Sequence, residues 1–169
     1  VQVNEKYSFN YNLSIDVQGS LYASYQDRLE ISKDKGNTWT TIPFYEFAFL
    51  SQVHFGDGVC YTLSSSGRDG ELYRRYDGGV NWEGLTIRDQ FDIQSIEIHP
   101  SGKLFGKSYY GLYTSDDQGE TWEISLDFED SSIEQLEFKN EDEVFLLLNG
   151  KLFYSQNMGD SWAIQNSDD

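Results

Sequence analysis

The chain has 169 residues, of which 38% are hydrophobic and 16% aromatic, enough apolar surface to bury a core and too much Tyr, Phe and Trp for a disordered acidic tail. Lys and Arg number 12 against 29 Asp and Glu, a formal net charge of −17. A surface of that sign repels phosphate backbones and anionic lipid, which argues against nucleic-acid and membrane partners, and no stretch approaches the roughly 18 to 20 unbroken apolar residues of a membrane span.

In chain order, Val3, Glu5, Tyr7 and Phe9 alternate as a strand does. Ile15-Asp16-Val17 opens the next alternating run, and the loop Ser32-Lys33-Asp34-Lys35-Gly36-Asn37-Thr38-Trp39 follows. Val53-His54-Phe55 starts a second set of strands ending in Arg75-Tyr76-Asp77-Gly78-Gly79-Val80-Asn81-Trp82. Ile96-Glu97-Ile98 starts a third, closed by Ser115-Asp116-Asp117-Gln118-Gly119-Glu120-Thr121-Trp122. Leu136-Glu137-Phe138 starts the fourth, which runs through a Val144 to Leu148 strand, the hairpin pair Asn149-Gly150 and a Lys151 to Ser155 strand to Ser155-Gln156-Asn157-Met158-Gly159-Asp160-Ser161-Trp162. Period-2 alternation between turn residues is the mark of strands, and Asn-Gly between two such runs is a two-residue hairpin.

The four tryptophans stand 43, 40 and 40 positions apart, close to the roughly 40 to 45 residues of a four-stranded propeller blade. A leucine precedes each by ten positions: Leu29, Leu72, Leu112, Leu152. The shared loop is Ser-x-Asp-x-Gly-x-Thr-Trp, with Arg75 in the Ser place of repeat two and Asn157 in the Asp place of repeat four. Such a loop turns within a few residues and must satisfy its own amides. The Asp carboxylate accepts from amides further along, Gly supplies a positive φ, and Ser and Thr hydroxyls add local bonds. The Trp buries its broad ring between neighbouring sheets.

These residues resemble the Asp-box (BNR) repeat family of β-propellers, which includes sialidases, xyloglucan-cleaving glycosidases, sortilin-type receptors and photosystem assembly factors. The resemblance implies an all-β propeller of four-stranded antiparallel blades. It divides the chain into a leftover outer strand (1–10) and blades at 11–42, 43–85, 86–126 and 127–169. It also implies a structural role on the outer rim for Ser32, Asp34, Gly36, Trp39, Asp77, Gly79, Trp82, Ser115, Asp117, Gly119, Trp122, Ser155, Asn157, Gly159 and Trp162, and work outside the cytoplasm, in the periplasm, at the cell surface or beyond. All four tryptophans are expected to be largely buried at the start of the outermost strand. Four blades expose apolar faces at both ends unless they close. A segment of a longer propeller is the first expectation, with a closed four-bladed ring or closure through a second chain as alternatives. The start at Val1, without Met or a charged-then-apolar leader, fits a processed protein or a cut one.

In propellers of this kind ligands meet the face made by the connectors between blades and the loops between second and third strands. The candidates there are Phe44, Tyr45, Glu46, Arg68, Arg88, Asp89, Tyr109, Tyr110 and Asp127. Aromatics beside carboxylates suit sugar or peptide by ring stacking and hydrogen bonding, although phenylalanines such as Phe44 can equally plug gaps between blades. A glycoside hydrolase needs two positioned carboxylates, and the acids are too many to choose a pair by spacing. The sialidase arginine triad and Arg-Ile-Pro-like motif are not legible. His54 and His99 have no ligand-spaced Cys or His and read as turn or interface residues, Cys60 as a buried thiol. No metal or cofactor is expected. The reading is a non-catalytic scaffold for protein or carbohydrate, with a glycoside hydrolase segment as the alternative.

Overall fold

The computed structural model describes residues 12–16, 18–25, 28–43, 53–56, 58–63, 72–76, 82–85, 87, 91–129 and 131–165. They form four separate sheets of four strands. The first holds β1 (Asn12–Ile15), β2 (Leu21–Ser24), β3 (Arg28–Ser32) and β4 (Thr40–Pro43). The second holds β5 (His54–Gly56), β6 (Val59–Leu63), β7 (Leu72–Tyr76) and β8 (Glu83–Leu85). The third is β9 (Ile93–Ile98), β10 (Leu104–Ser108), β11 (Gly111–Ser115) and β12 (Glu123–Asp127). The fourth is β13 (Ile133–Phe138), β14 (Val144–Leu148), β15 (Lys151–Ser155) and β16 (Ala163–Gln165). Within each sheet the strands pair antiparallel in chain order. The expected Val3 to Phe9 strand, and Asp77 and Gly79 of the second loop, lie outside the described residues.

Local sequence explains the meander. Asn149 and Gly150 adopt φ of 52° and 69°, the two positive values that let a two-residue turn follow the strand twist, and the register Leu148↔Lys151 closes directly upon them. In β14 Val144, Leu146 and Leu148 are buried while Phe145 and Leu147 are half-buried, whereas β6 is buried along its whole length. The difference is position: β6 lies in a sheet with neighbours on both faces. Three apolar clusters fill the spaces between consecutive sheets. Tyr22, Leu29 and Ile42 meet Val53 and Cys60; Tyr61 and Leu72 meet Ile96 and Leu104; Phe105 and Leu112 meet Leu136 and Val144.

The repeat loops join the third strand of each sheet to the fourth. In the third sheet Asp117 accepts from the Thr121 amide at 2.9 Å and from the Thr121 and Ser115 hydroxyls at 2.6 and 2.9 Å, while Ser115 Oγ accepts from the Gly119 amide at 2.9 Å. Asp34 with Thr38, Ser32 and Gly36 repeats this set. Asn157 reproduces it with its amide oxygen toward Ser161 N and Ser155 Oγ, and with its amide nitrogen donating to Ser161 Oγ. The residue before the glycine is also left-handed, at Lys35, Gln118 and Met158.

Each of the last two loops lies against the preceding sheet. A Cβ on Gly119 would meet Leu72 and Leu85, and one on Gly159 would meet Phe105 and Ser125. Uniform burial of the tryptophans therefore does not hold: Trp122 is 7% exposed and Trp39 40%. Trp122 faces the second sheet, whereas among the described residues a Cβ on Gly36 would meet only Leu21 and Trp39 of its own blade.

Candidate ligand-binding face

Antiparallel meanders have two edges. The repeat loops and the turns between first and second strands share one, and the turns between second and third strands share the other with the connectors between sheets. At this second edge the third sheet is built in detail. The β10–β11 turn carries Tyr109 and Tyr110, 52% and 54% exposed. Ser108 Oγ accepts from the Tyr110 amide at 3.2 Å, which fixes the turn. Gly111 pairs with Asp127 at the end of β12; a Cβ there would lie 2.9 Å from the Leu126 carbonyl oxygen, so the close approach requires glycine.

The connector to the fourth sheet then runs back along the tyrosines. Phe128 N donates to the Tyr110 carbonyl at 3.3 Å and Ser131 N to the Tyr109 carbonyl at 3.4 Å. Ser131 Oγ donates to the Glu129 carbonyl and accepts from Asn149 Nδ2 at 2.7 Å, and the Gly150 amide donates to Glu134 at 2.9 Å. The β14–β15 turn is thereby tied to the same edge. Among the predicted residues Tyr109, Tyr110 and Asp127 come to one edge, where Asp127 and Glu129 are exposed. Phe44, Tyr45, Glu46, Arg68, Arg88 and Asp89 lie outside the described residues. Sequence reasoning missed Glu129, Ser131, Glu134 and Asn149. The Asn149-Gly150 pair was a signal for the turn but not for its tie to Ser131.

Elsewhere His99 is both a turn and an interface residue: Nδ1 lies 2.8 Å from Ser101 Oγ and Nε2 3.1 Å from the Asn140 carbonyl of the fourth sheet. Burial pushes the His54 imidazole below its usual value; Glu97 raises it and Lys107 lowers it further. No cluster of three or more His, Cys, Asp or Glu side chains able to hold a metal occurs among the described residues.

No protein-family model and no curated protein matches the sequence. Solved structures do. YCF48 bound to a D1 peptide matches with a TM-score of 0.76 at 19% identity, over 98% of this chain and 56% of that one. The four sheets are propeller blades. A GH74 xyloglucanase from Xanthomonas campestris matches at 0.63 and 15% identity, over 89% of this chain and 29% of that chain. The extracellular domain of a one-component system from B. thetaiotaomicron matches at 0.67 and 11%, over 99% of this chain and 24% of that chain. The chain thus spans about half the length of YCF48 and less of the others. At these identities the likeness carries the blade architecture alone, since one fold hosts unrelated functions.

Proposed function

We propose that this chain is a non-catalytic Asp-box propeller unit that binds protein or glycan through the connector edge of its blades, outside the cytoplasm. The observation that carries the reading is the pair of exposed tyrosines, Tyr109 and Tyr110, on a backbone fixed by main-chain bonds at the same edge as the exposed Asp127 and Glu129. Aromatic faces on a fixed turn can stack on a ligand, and carboxylates of the same edge can accept from sugar hydroxyls or peptide donors. The Asp-box reading rests on the shared bonding of Asp34, Asp117 and Asn157. YCF48 was solved with a peptide bound, in keeping with a binding role, and another propeller match is an extracellular domain, in keeping with a place outside the cytoplasm.

The likeness to a xyloglucanase favours a second reading, a segment of a glycoside hydrolase. A glycan array and a protein pull-down with the full chain separate the readings. The scaffold reading expects retention of an unaltered ligand that is lost in Tyr109→Ala with Tyr110→Ala; release of cleaved xyloglucan oligosaccharide would overturn it.

A further inference from the structure

The first and fourth blades present two open faces that repeat, half each, the interface between inner blades. On the side facing the next blade, Leu29, Leu72 and Leu112 are fully buried, whereas their fourth-blade counterpart Leu152 is 40% exposed. Around it lie Phe145 and Tyr154, whose rings stack at 4.8 Å. On the side facing the preceding blade, Val53, Ile96 and Leu136 are buried, whereas Leu13, their counterpart by strand register, is 65% exposed, with Ile15 and Trp39 beside it. Among the described residues, then, no repeat loop covers Leu152 and no leucine of another blade lies beneath the Trp39 loop.

Charge distinguishes this pair of faces from the inner ones. Between the third and fourth blades, Lys103 just before β10 lies 3.4 Å from Asp160 of the next repeat loop. The same turn of the fourth blade reads Glu141-Asp142-Glu143. Glu143 is held by Lys139 at 2.8 Å, and Glu141 and Asp142 are exposed. A covering loop must therefore bring cations rather than acids. The first repeat loop does: it has exposed Lys35, and Asn37 where the third and fourth loops have Glu120 and Asp160.

We propose that the fourth blade of one copy takes the first blade of a second copy, head to tail, with the Trp39 loop over Leu152 and Lys35 over the acidic turn. The contact is heterologous, so it propagates unless the rotation closes; two copies supply eight blades, within the range of about four to eight at which propellers close. This inference rests on the blade packing and not on the ligand reading.

Sedimentation of the purified chain tests it. The wild type should sediment at twice its 19.5 kDa mass or more, less so at high salt because the charge contribution is screened. Leu152→Asp alone, and Leu13→Asp with Ile15→Asp alone, should each remain monomeric. Mixing the two variants should restore association through the one intact pair of faces. Lys35→Glu touches no core residue and should weaken association without lowering Tm. A monomeric wild type would overturn the proposal, leaving the faces to further blades of a longer polypeptide. Association that mixing fails to restore would overturn it too, since like faces would then be meeting.

Discussion

At the scale of single residues, the repeat-loop aspartate acts as an anchor for amides and hydroxyls. The hydroxyl and amide of Thr38, then the Ser32 hydroxyl, hold the Asp34 carboxyl down to about 2 from its ordinary 3.8. At Asp117 burial pushes upward, but the Thr121 hydroxyl and amide and the Ser115 hydroxyl outweigh it, and the group ends below its ordinary value. Because the folded values are depressed, the stability these groups contribute is present above the ordinary carboxylate value and is lost as pH falls through the folded one. For Asp34 that window runs from about 4 down to about 2. Asn157 holds the same place and does not titrate in this range. The Thr38 amide resonance should therefore move on acidification with a midpoint near 2, while that of Ser161, bonded to Asn157 Oδ1, stays; a Ser161 shift with the same midpoint in folded protein would contradict this. Asp117→Ala removes the acceptor for the Thr121 amide and should lower stability by about 1 to 2 kcal/mol in chemical denaturation. Asn157→Asp, which keeps the acceptor, should cost less than Asn157→Ala.

At the scale of elements, blades are pinned to one another by side chains that reach across. Arg74 of β7 is buried, donates to Glu83 at 2.9 Å and to the Gln118 carbonyl at 3.2 Å, and pairs with Glu120 of the next loop. Both carboxylates are half exposed, so the desolvated charge is the guanidinium. Replacing Arg74 by Met frees two carboxylates into water and should cost about 1 kcal/mol. Neutralising both acids as Glu83→Gln with Glu120→Gln leaves the buried cation under-compensated and should cost about 2 kcal/mol or more by the same measurement. The reverse order would show that the carboxylates hold the loop without Arg74. Such pins were not legible beforehand. Tryptophan spacing and Asn149-Gly150 locate strands and turns because those depend on local pattern. Arg74 and Arg75 look alike in sequence, and only the neighbouring blade selects which one is buried. The left-handed Lys35, Gln118 and Met158 were missed because the loop type was not read. Trp39 differs from Trp122 because of what lies opposite. For the candidate edge, Tyr109, Tyr110 and Asp127 could be named from alternation and turn position, while Ser131 and Asn149 enter through a contact between the connector and a turn of the fourth blade.

At the scale of the molecule, the meander gives every blade one edge of hydrogen-bonded repeat loops and one edge of turns and connectors. The first is committed to holding blades together, through Ser125 Oγ donating to the Gly159 carbonyl and accepting from Trp162 Nε1 at 2.9 Å. The second leaves Tyr109 and Tyr110 exposed on a fixed backbone. The proposed function puts recognition on the edge opposite the one that holds the blades together, and a single comparison tests that division. Ligand affinity and Tm should be measured together for Tyr109→Ala with Tyr110→Ala and for Asp117→Ala. The tyrosine variant should keep its Tm and lose binding, and the aspartate variant should lose stability yet bind as the wild type does below its Tm; an aspartate variant that keeps its Tm and loses binding would place recognition on the repeat-loop edge and contradict the account.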